Sequence, residues 1–208
     1  MTHTNHFKRI ATGLDVKPLL KLLDAKPELW KEITARQNAT GSAHKDTECI
    51  YVRGPLTMSI YYVIWDTKAY DYPSMDYLKP ALVPLLKPIL EKLEVTKMGR
   101  VFVVSLKPCG HVTKHNDQGK YADTYSRFHL VLRSNEHCIQ TCGDEEQRFE
   151  VGDVWWFNHK KDHTAHNVGT TDRVHIIFDC VTKYFAMDGV TVSNKGAVTL
   201  DESGVVND

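Results

Sequence analysis

The sequence predicts a mainly β fold, an antiparallel barrel or sandwich with helices ahead of it. Three observations carry that expectation. From Arg100 onward, short apolar and β-branched runs are separated by Gly, Asn and Pro turns, as in antiparallel all-β domains. One of these runs, 127–133, alternates strictly: Phe128, Leu130 and Leu132 fall on one face, Arg127, His129 and Val131 on the other. Ahead of residue 100, leucines instead recur at helical spacing.

Taken in order, residues 16–23 predict a short apolar helix, and Pro27 opens a second over 26–36. Two strands follow at 48–53 and 57–65, both rich in β-branched and aromatic residues, with Gly54-Pro55 as the turn between them. Leu82, Leu85, Leu86, Leu90 and Leu93 trace a helix over 77–93, but Pro80, Pro84 and Pro88 interrupt it, so a kinked or broken helix is expected. A continuous apolar strand at 101–106 is closed by Pro108 and Gly110. The segment 147–151, a Gly152-Asp153 turn, and strands at 154–157 and 173–181 complete the pattern. The expected organisation is a single domain. An N-terminal segment (1–99) packs on a β core (100–185), and a weakly patterned tail follows (186–208).

With 42% hydrophobic and 25% charged residues, the composition is that of a globular, water-soluble chain. Twenty-six basic residues balance twenty-six acidic ones, which removes any global electrostatic case for nucleic acid or an anionic membrane. No apolar run approaches the ~18 residues of a membrane span. The first eight residues are polar and lack a secretion signal, so the expected compartment is cytoplasmic. The five cysteines form no Cys-x-x-Cys pair; Cys138 and Cys142 with His137 resemble half a zinc site without its other half, and free thiols are expected.

Eleven histidines are the unusual feature, histidine being the commonest ligand of iron, zinc and copper. In an extended His115-Asn116-Asp117, residues two apart project together. That supplies two members of a 2-His-1-carboxylate triad, which leaves iron positions open. A second match, His44-Lys45-Asp46, ranks lower because nothing comparable follows it. After the first come Gly152-Asp153, a strand, His163 and, ten positions on, Arg173, a cationic fork suited to a dicarboxylate. His159 and His166 flank His163 and stay open as alternative distal ligands.

Other residues carry two readings each. His111 is a surface or supporting residue, and His175 a satisfied core histidine. Asn167 and Asp179 either orient the site by hydrogen bonds or, for Asn167, shape a turn. Trp155 and Trp156 point to opposite faces, so one at most lines a cavity. Arg36, His44 and Arg53 are candidate substrate contacts, against the ordinary expectation of solvated arginines. Lys120, Tyr121 and Tyr125, within 118–126, form a candidate lid.

Residues 100–181 resemble the aspartyl/asparaginyl β-hydroxylase-like family, cupin-type iron(II)/2-oxoglutarate oxygenases. The stretch Arg127-Phe-His-Leu-Val-Leu with Ser134-Asn-Glu-His-Cys138, and Gly152-Asp-Val-Trp-Trp-Phe with His163 and Arg173, is similar to bacterial proline cis-4-hydroxylases in that group. The segment from Arg36-Gln37 through His44-Lys-Asp-Thr to Arg53 looks like a further family element. The resemblance implies a double-stranded β-helix (cupin, jelly-roll) core, with His115, Asp117 and His163 as iron(II) ligands. It implies Arg173 on the distal carboxylate of 2-oxoglutarate, His129 as a second contact to it, and Arg127 meeting cosubstrate or substrate. The implied activity is a dioxygenase that uses O2 to hydroxylate an unactivated C–H bond of an amino acid or of a peptide or protein side chain (Asp-, Asn- or Pro-like). Succinate and CO2 are the implied by-products. The presence of Asp117 favours hydroxylation over halogenation within that group. The competing expectation is a cupin-type metal-binding isomerase or small-molecule-binding domain, which would have no need of Arg173.

Overall fold

The elements of the computed structural model run in chain order as follows: β1 (Phe7–Ala11), α1 (Lys17–Ala25), a 3₁₀ turn (Pro27–Lys31), α2 (Ala35–Asn38), β2 (Thr47–Gly54), a π-helical turn (Tyr61–Trp65), β3 (Tyr70–Asp71), α3 (Pro73–Lys92), β4 (Val95–Leu106), β5 (His111–His115), α4 (Lys120–Thr124), β6 (Ser126–Arg133), β7 (Cys138–Cys142), β8 (Glu145–Gln147), β9 (Val154–Phe157), β10 (His163–Asn167), β11 (Arg173–Thr182), β12 (Ala186–Met187) and β13 (Val192–Ser193). Residues 6–183 are described, and beyond them only the backbone pairing of β12 with β13. The rest of the tail expected over 186–208 lies outside the described residues.

A seven-stranded antiparallel sheet, in the order β1-β9-β6-β11-β4-β2-β3, faces a four-stranded one, β5-β10-β7-β8. The larger sheet takes strands from both sides of residue 100, and β4 runs across that position. Two antiparallel sheets closing on a shared interior are the expected double-stranded β-helix core.

Period-two alternation decides what each face of the larger sheet buries. Phe128, Leu130, Leu132, Val154, Trp156, Val174, Ile176 and Phe178 point outward into one cluster with Leu19 and Leu23 of α1 and Leu78, Leu82, Leu85, Leu86 and Ile89 of α3. On α3 those five positions follow i, i+4, i+7, i+8, i+11, one continuous stripe. The opposite face of the same strands looks into the interior between the sheets. There Phe7, Val131, Phe149, Trp155 and Phe157 form a second cluster, so Trp155 and Trp156 are both buried, in different cores. Gly152 makes the tight entry to β9. Its φ is +82°, and an added Cβ would lie 2.8 Å from the Leu14 carbonyl oxygen.

Four local expectations are corrected. Of the kinked and broken alternatives for 77–93, the broken one is corrected: α3 runs without interruption from Pro73 to Lys92 with all three prolines inside it. Spaced by four, Pro80, Pro84 and Pro88 lie along one exposed face. The carbonyls they leave without an amide partner can turn to water there. The strand at 57–65 is instead a loop closing in a π-helical turn, with Val63 N–H donating to Ser59 O. Ile60, Tyr61 and Trp65 are 70%, 60% and 55% exposed, so their β-forming side chains find no sheet to pack on. Gly54 pairs with Tyr70 of β3 instead. The helix over 26–36 divides into the 3₁₀ turn and α2, separated by the β-branched pair Ile33-Thr34. In 147–151 only Gln147 is in a strand; the rest is a loop that sends Phe149 into the core.

No helix among the described residues is long and apolar enough to cross a membrane.

Candidate metal centre

Antiparallel pairing of β5 with β10 sets His115 directly opposite His163, with a bulge following between His163 and Ala165. Their rings lie 4.3 Å apart. Asp117 follows β5 by two residues, anchored by its N–H donating to His159 O at 2.9 Å. One ligand atom from each of His115, Asp117 and His163 lies within 4.8 Å of the others. Both imidazoles are oriented by the main chain. His115 Nδ1–H donates to Thr113 O at 2.8 Å, and His163 Nδ1–H to Lys161 O at 2.9 Å. Each Nε2 is therefore left as a lone pair, the form a metal needs.

Electrostatics keeps Asp117 and His163 in ligand-ready states. Burial pushes the Asp117 carboxyl up, but the Arg127 guanidinium beside it, with the imidazoles of His159, His163 and His115, holds it far below the usual carboxylate range. Burial pushes His163 down to about 4 against the pull of Asp117, so it is neutral at pH 7. Arg127 pairs with Asp117 and also donates to Asp179 at 2.8 and 3.0 Å. Burial alone would lower its pKa; the two carboxylates raise it instead. Asp179 accepts a further hydrogen bond from the Tyr121 hydroxyl at 3.1 Å. It thus orients Asp117 through Arg127.

Arg173 lines a cavity whose walls also include the triad members His115 and His163, with His129 and Gln140, while Asp117 lines an adjoining one. Arg173 Nη2 donates to Gln140 Oε1 at 2.8 Å, and among the described residues no carboxylate pairs with it. Burial lowers its pKa to about 10. Beside it, His129 Nδ1 meets His175 Nδ1 at 3.2 Å, while both Nε2 atoms are buried and unpartnered. Gln140 was not singled out by sequence. Its signal is the alternation of β7, which turns Cys138, Gln140 and Cys142 inward together.

The remaining candidates sort by alternation and partner. His166 points outward on β10 and is exposed, bonded to Thr164 Oγ1. His159 is buried and donates to Ala122 O at 3.2 Å. Neither belongs to the triad of ligand atoms. The second diad is split: Asp46 takes His111, 3.0 Å away, whereas His44 packs edge-on against His115 at 4.8 Å and meets Arg36. Arg53 pairs with Asp71 and lines neither cavity, which corrects its reading as a substrate contact. Asn167 is a turn organiser, donating to Leu106 O and Thr171 O. His175 is buried beside His129, but with an orphaned Nε2 it is not a satisfied core histidine. In the candidate lid, Tyr121 and Tyr125 are buried anchors, the latter donating to Thr67 O at 2.6 Å. Gly119, with φ +90°, lets this segment pass against Ile64 where a Cβ would collide. All five cysteines are free; Cys138 and Cys142 bond to Asn167 and to the Asn158 carbonyl, and His137 is exposed beside Glu136.

The family profile described as aspartyl/asparaginyl beta-hydroxylase matches residues 21–183. An 80-residue segment is 31% identical to L-proline cis-4-hydroxylase of Rhizobium meliloti (strain 1021), covering 38% of this chain and 28% of that protein. The match thus spans under a third of the relative's length. Among solved structures, an oxidoreductase of the 2OG-Fe(II) oxygenase family from Burkholderia pseudomallei is similar in fold. Its TM-score is 0.52 at 11% identity, over 80% of this chain and 81% of that one.

Proposed function

This chain belongs to the aspartyl/asparaginyl β-hydroxylase family, and from that premise we propose that it is an iron(II)- and 2-oxoglutarate-dependent dioxygenase. In this reading it hydroxylates an unactivated C–H bond of an amino acid or of a peptide or protein side chain. One atom of O2 enters the product, and the other enters succinate as 2-oxoglutarate loses CO2. The observation that carries the reading is the clustered triad, two of whose members, His115 and His163, line one cavity together with an uncompensated arginine, Arg173.

The donor set suits a ferrous ion: two imidazoles whose Nδ1 atoms bond to the main chain, leaving Nε2 for a metal, and one ionised carboxylate. His115, Asp117 and His163 would hold the iron, which when bound supplies the oxidising power that side chains lack. The Arg173 side of the cavity suits a carboxylate. Arg173 has only the neutral Gln140 as acceptor, and the buried His129 Nε2 has none. An arriving carboxylate would meet both needs. For His129 to donate from Nε2, its Nδ1 must accept, so His175 would supply the proton between the two Nδ1 atoms. Arg127 holds Asp117 in place and ionised.

The test is succinate formation from 2-oxoglutarate with iron(II), alongside mass spectrometry of amino-acid and cell-extract pools for a gain of one oxygen atom. Wild type should turn over, and His115→Ala and Arg173→Ala should not at the same cosubstrate level. Iron binding without 2-oxoglutarate consumption across a broad substrate panel would support a metal-binding module instead.

A further inference from the structure

Beside Asp117, a cavity of about 620 Å³ is walled by α2, the 61–65 turn and the inner face of the larger sheet. It shares Arg36, His44 and Arg127 with the inner cavity that leads to Arg173. Its volume is that of an ordinary small-molecule site, roughly 300–1,000 Å³.

Three arginines line this outer cavity, and they are unequally matched. Arg127 is held by two carboxylates. Arg100 donates from both terminal nitrogens to the carbonyls of Val63 and Tyr62 at 2.9 and 2.7 Å and lies 3.5 Å over the Tyr121 ring, leaving only its inner Nε buried without a partner. Arg36 stands where the two cavities meet, with its Nη2 against the His44 ring at 3.1 Å and its Nη1 buried without a partner. Among the described residues no carboxylate forms an ion pair with Arg36; its guanidinium lies 5.9 Å from the centre of the Phe102 ring, and burial pushes the nearby Cys49 thiol up to about 11. The one acid in the cavity lining, Asp117, is already paired with Arg127. The rest of the wall is largely apolar, including Tyr51, Met58, Ile60, Val63 and Phe102.

A half-buried cation with one buried, open donor, set behind the His44 ring that packs on His115 and facing a largely apolar wall, selects an anion carried on a hydrocarbon frame. We propose that Arg36 is the substrate-anchoring residue and that the substrate is a free, small carboxylic acid with a compact apolar skeleton. The assignment rests on the oxygenase reading for the meaning of "substrate", and the Arg36 site itself rests only on the cavity. A polypeptide entering by its carboxylate would bury amide groups against this wall without partners; a hydrocarbon skeleton has none to bury.

The test is calorimetric titration of the full chain, loaded with zinc(II) and 2-oxoglutarate, with cyclohexanecarboxylate and with its carboxamide. Charge-assisted hydrogen bonding predicts about 10- to 100-fold tighter binding of the carboxylate. Arg36→Gln should remove that selectivity and leave 2-oxoglutarate affinity unchanged, whereas Arg173→Gln should do the reverse. If Arg36→Gln does not fold, Arg36→Lys should weaken the carboxylate and not the carboxamide; equal weakening of both overturns the proposal. Equal binding of the two probes to wild type, or selectivity that survives in Arg36→Gln, also overturns it. Tighter binding of acetyl-Ala-Ala-Leu than of cyclohexanecarboxylate overturns the free-acid assignment. Absence of 2-oxoglutarate binding in wild type counts against the oxygenase reading alone, because the Arg36 selectivity is read equally well with no cosubstrate added.

Discussion

On its outer face β11 presents Val174, Ile176, Phe178 and Cys180, all packed into the helix-covered core. On its inner face the same strand presents Arg173, His175, Ile177 and Asp179, which are just as buried. Burial is equal; what it does to free energy is opposite. Outward, each apolar side chain removed from water stabilises the fold by about 1.5–3 kcal/mol. Inward, burial lowers the pKa of Arg173 and of His175, and leaves His175 Nε2 without a partner. The outer face serves stability alone, whereas the inner face mixes packed Ile177 and paired Asp179 with Arg173 and His175, whose unsatisfied groups a ligand can relieve.

Substitutions on each face sharpen this contrast. Phe178→Ala, on the outer face, should cost about 3–5 kcal/mol in denaturant unfolding, through lost burial plus a cavity. Little change in stability would mean the two faces do not divide the work. His163→Ala, on the small sheet opposite, should leave the melting temperature near wild type. Succinate formation should fall by more than the ~100-fold that loss of an outer-shell partner costs. Arg173→Met exchanges a buried, uncompensated cation for an apolar chain of similar reach. Stability should hold or rise, because a lone buried charge is unfavourable, while 2-oxoglutarate affinity drops about 10- to 100-fold. A marked loss of stability would make Arg173 structural.

The buried histidine pair gives the same contrast a pH signature. Burial first, then Arg173, holds the pKa of both His129 and His175 well below 6.5 in the folded protein. Below that pH the unfolded chain takes up protons that the folded chain refuses. Folding stability is therefore full above 6.5 and falls as the pH drops below it, by up to ~1.4 kcal/mol per pH unit for each histidine. Denaturation curves between neutral and acid pH should show a shallower decline for His175→Phe than for wild type. The smallest effect belongs to the surface: Arg133→Ala breaks an exposed pair with Asp24, which should cost no more than about 1 kcal/mol.

The inner and outer faces also explain what could be read from the chain. Strict alternation across Arg127–Arg133 separates Phe128 and Leu130 from Arg127 and His129 without coordinates, and period two favours His163 over His166 once β10 is known to be a strand. Where context overrides local preference, sequence reasoning fails. Tyr61–Trp65 carries strand-forming residues that no neighbouring strand receives. Pro80, Pro84 and Pro88 break no helix because their spacing keeps them on one solvent-facing line. The partners of Arg127 were hidden for another reason. Asp117 and Asp179 lie 10 and 52 residues away from it, and only the closure of the sheets brings them to one guanidinium. The open Nη1 of Arg36 was hidden likewise, since a donor without an acceptor is visible only once its surroundings are.

In the proposed reading His115, Asp117 and His163 share one ferrous ion, and Arg173 lines the cavity onto which His115 and His163 open. Anaerobic titration of the purified chain with iron(II) in the presence of 2-oxoglutarate tests it most directly, read as the visible charge-transfer absorption of a keto acid chelated to iron. The account predicts a band that saturates at one iron per chain and disappears in Asp117→Ala. In Arg173→Met the band should need more 2-oxoglutarate to form. A wild-type chain that develops no such band at saturating iron and 2-oxoglutarate, or a band unaffected by Asp117→Ala, would contradict it.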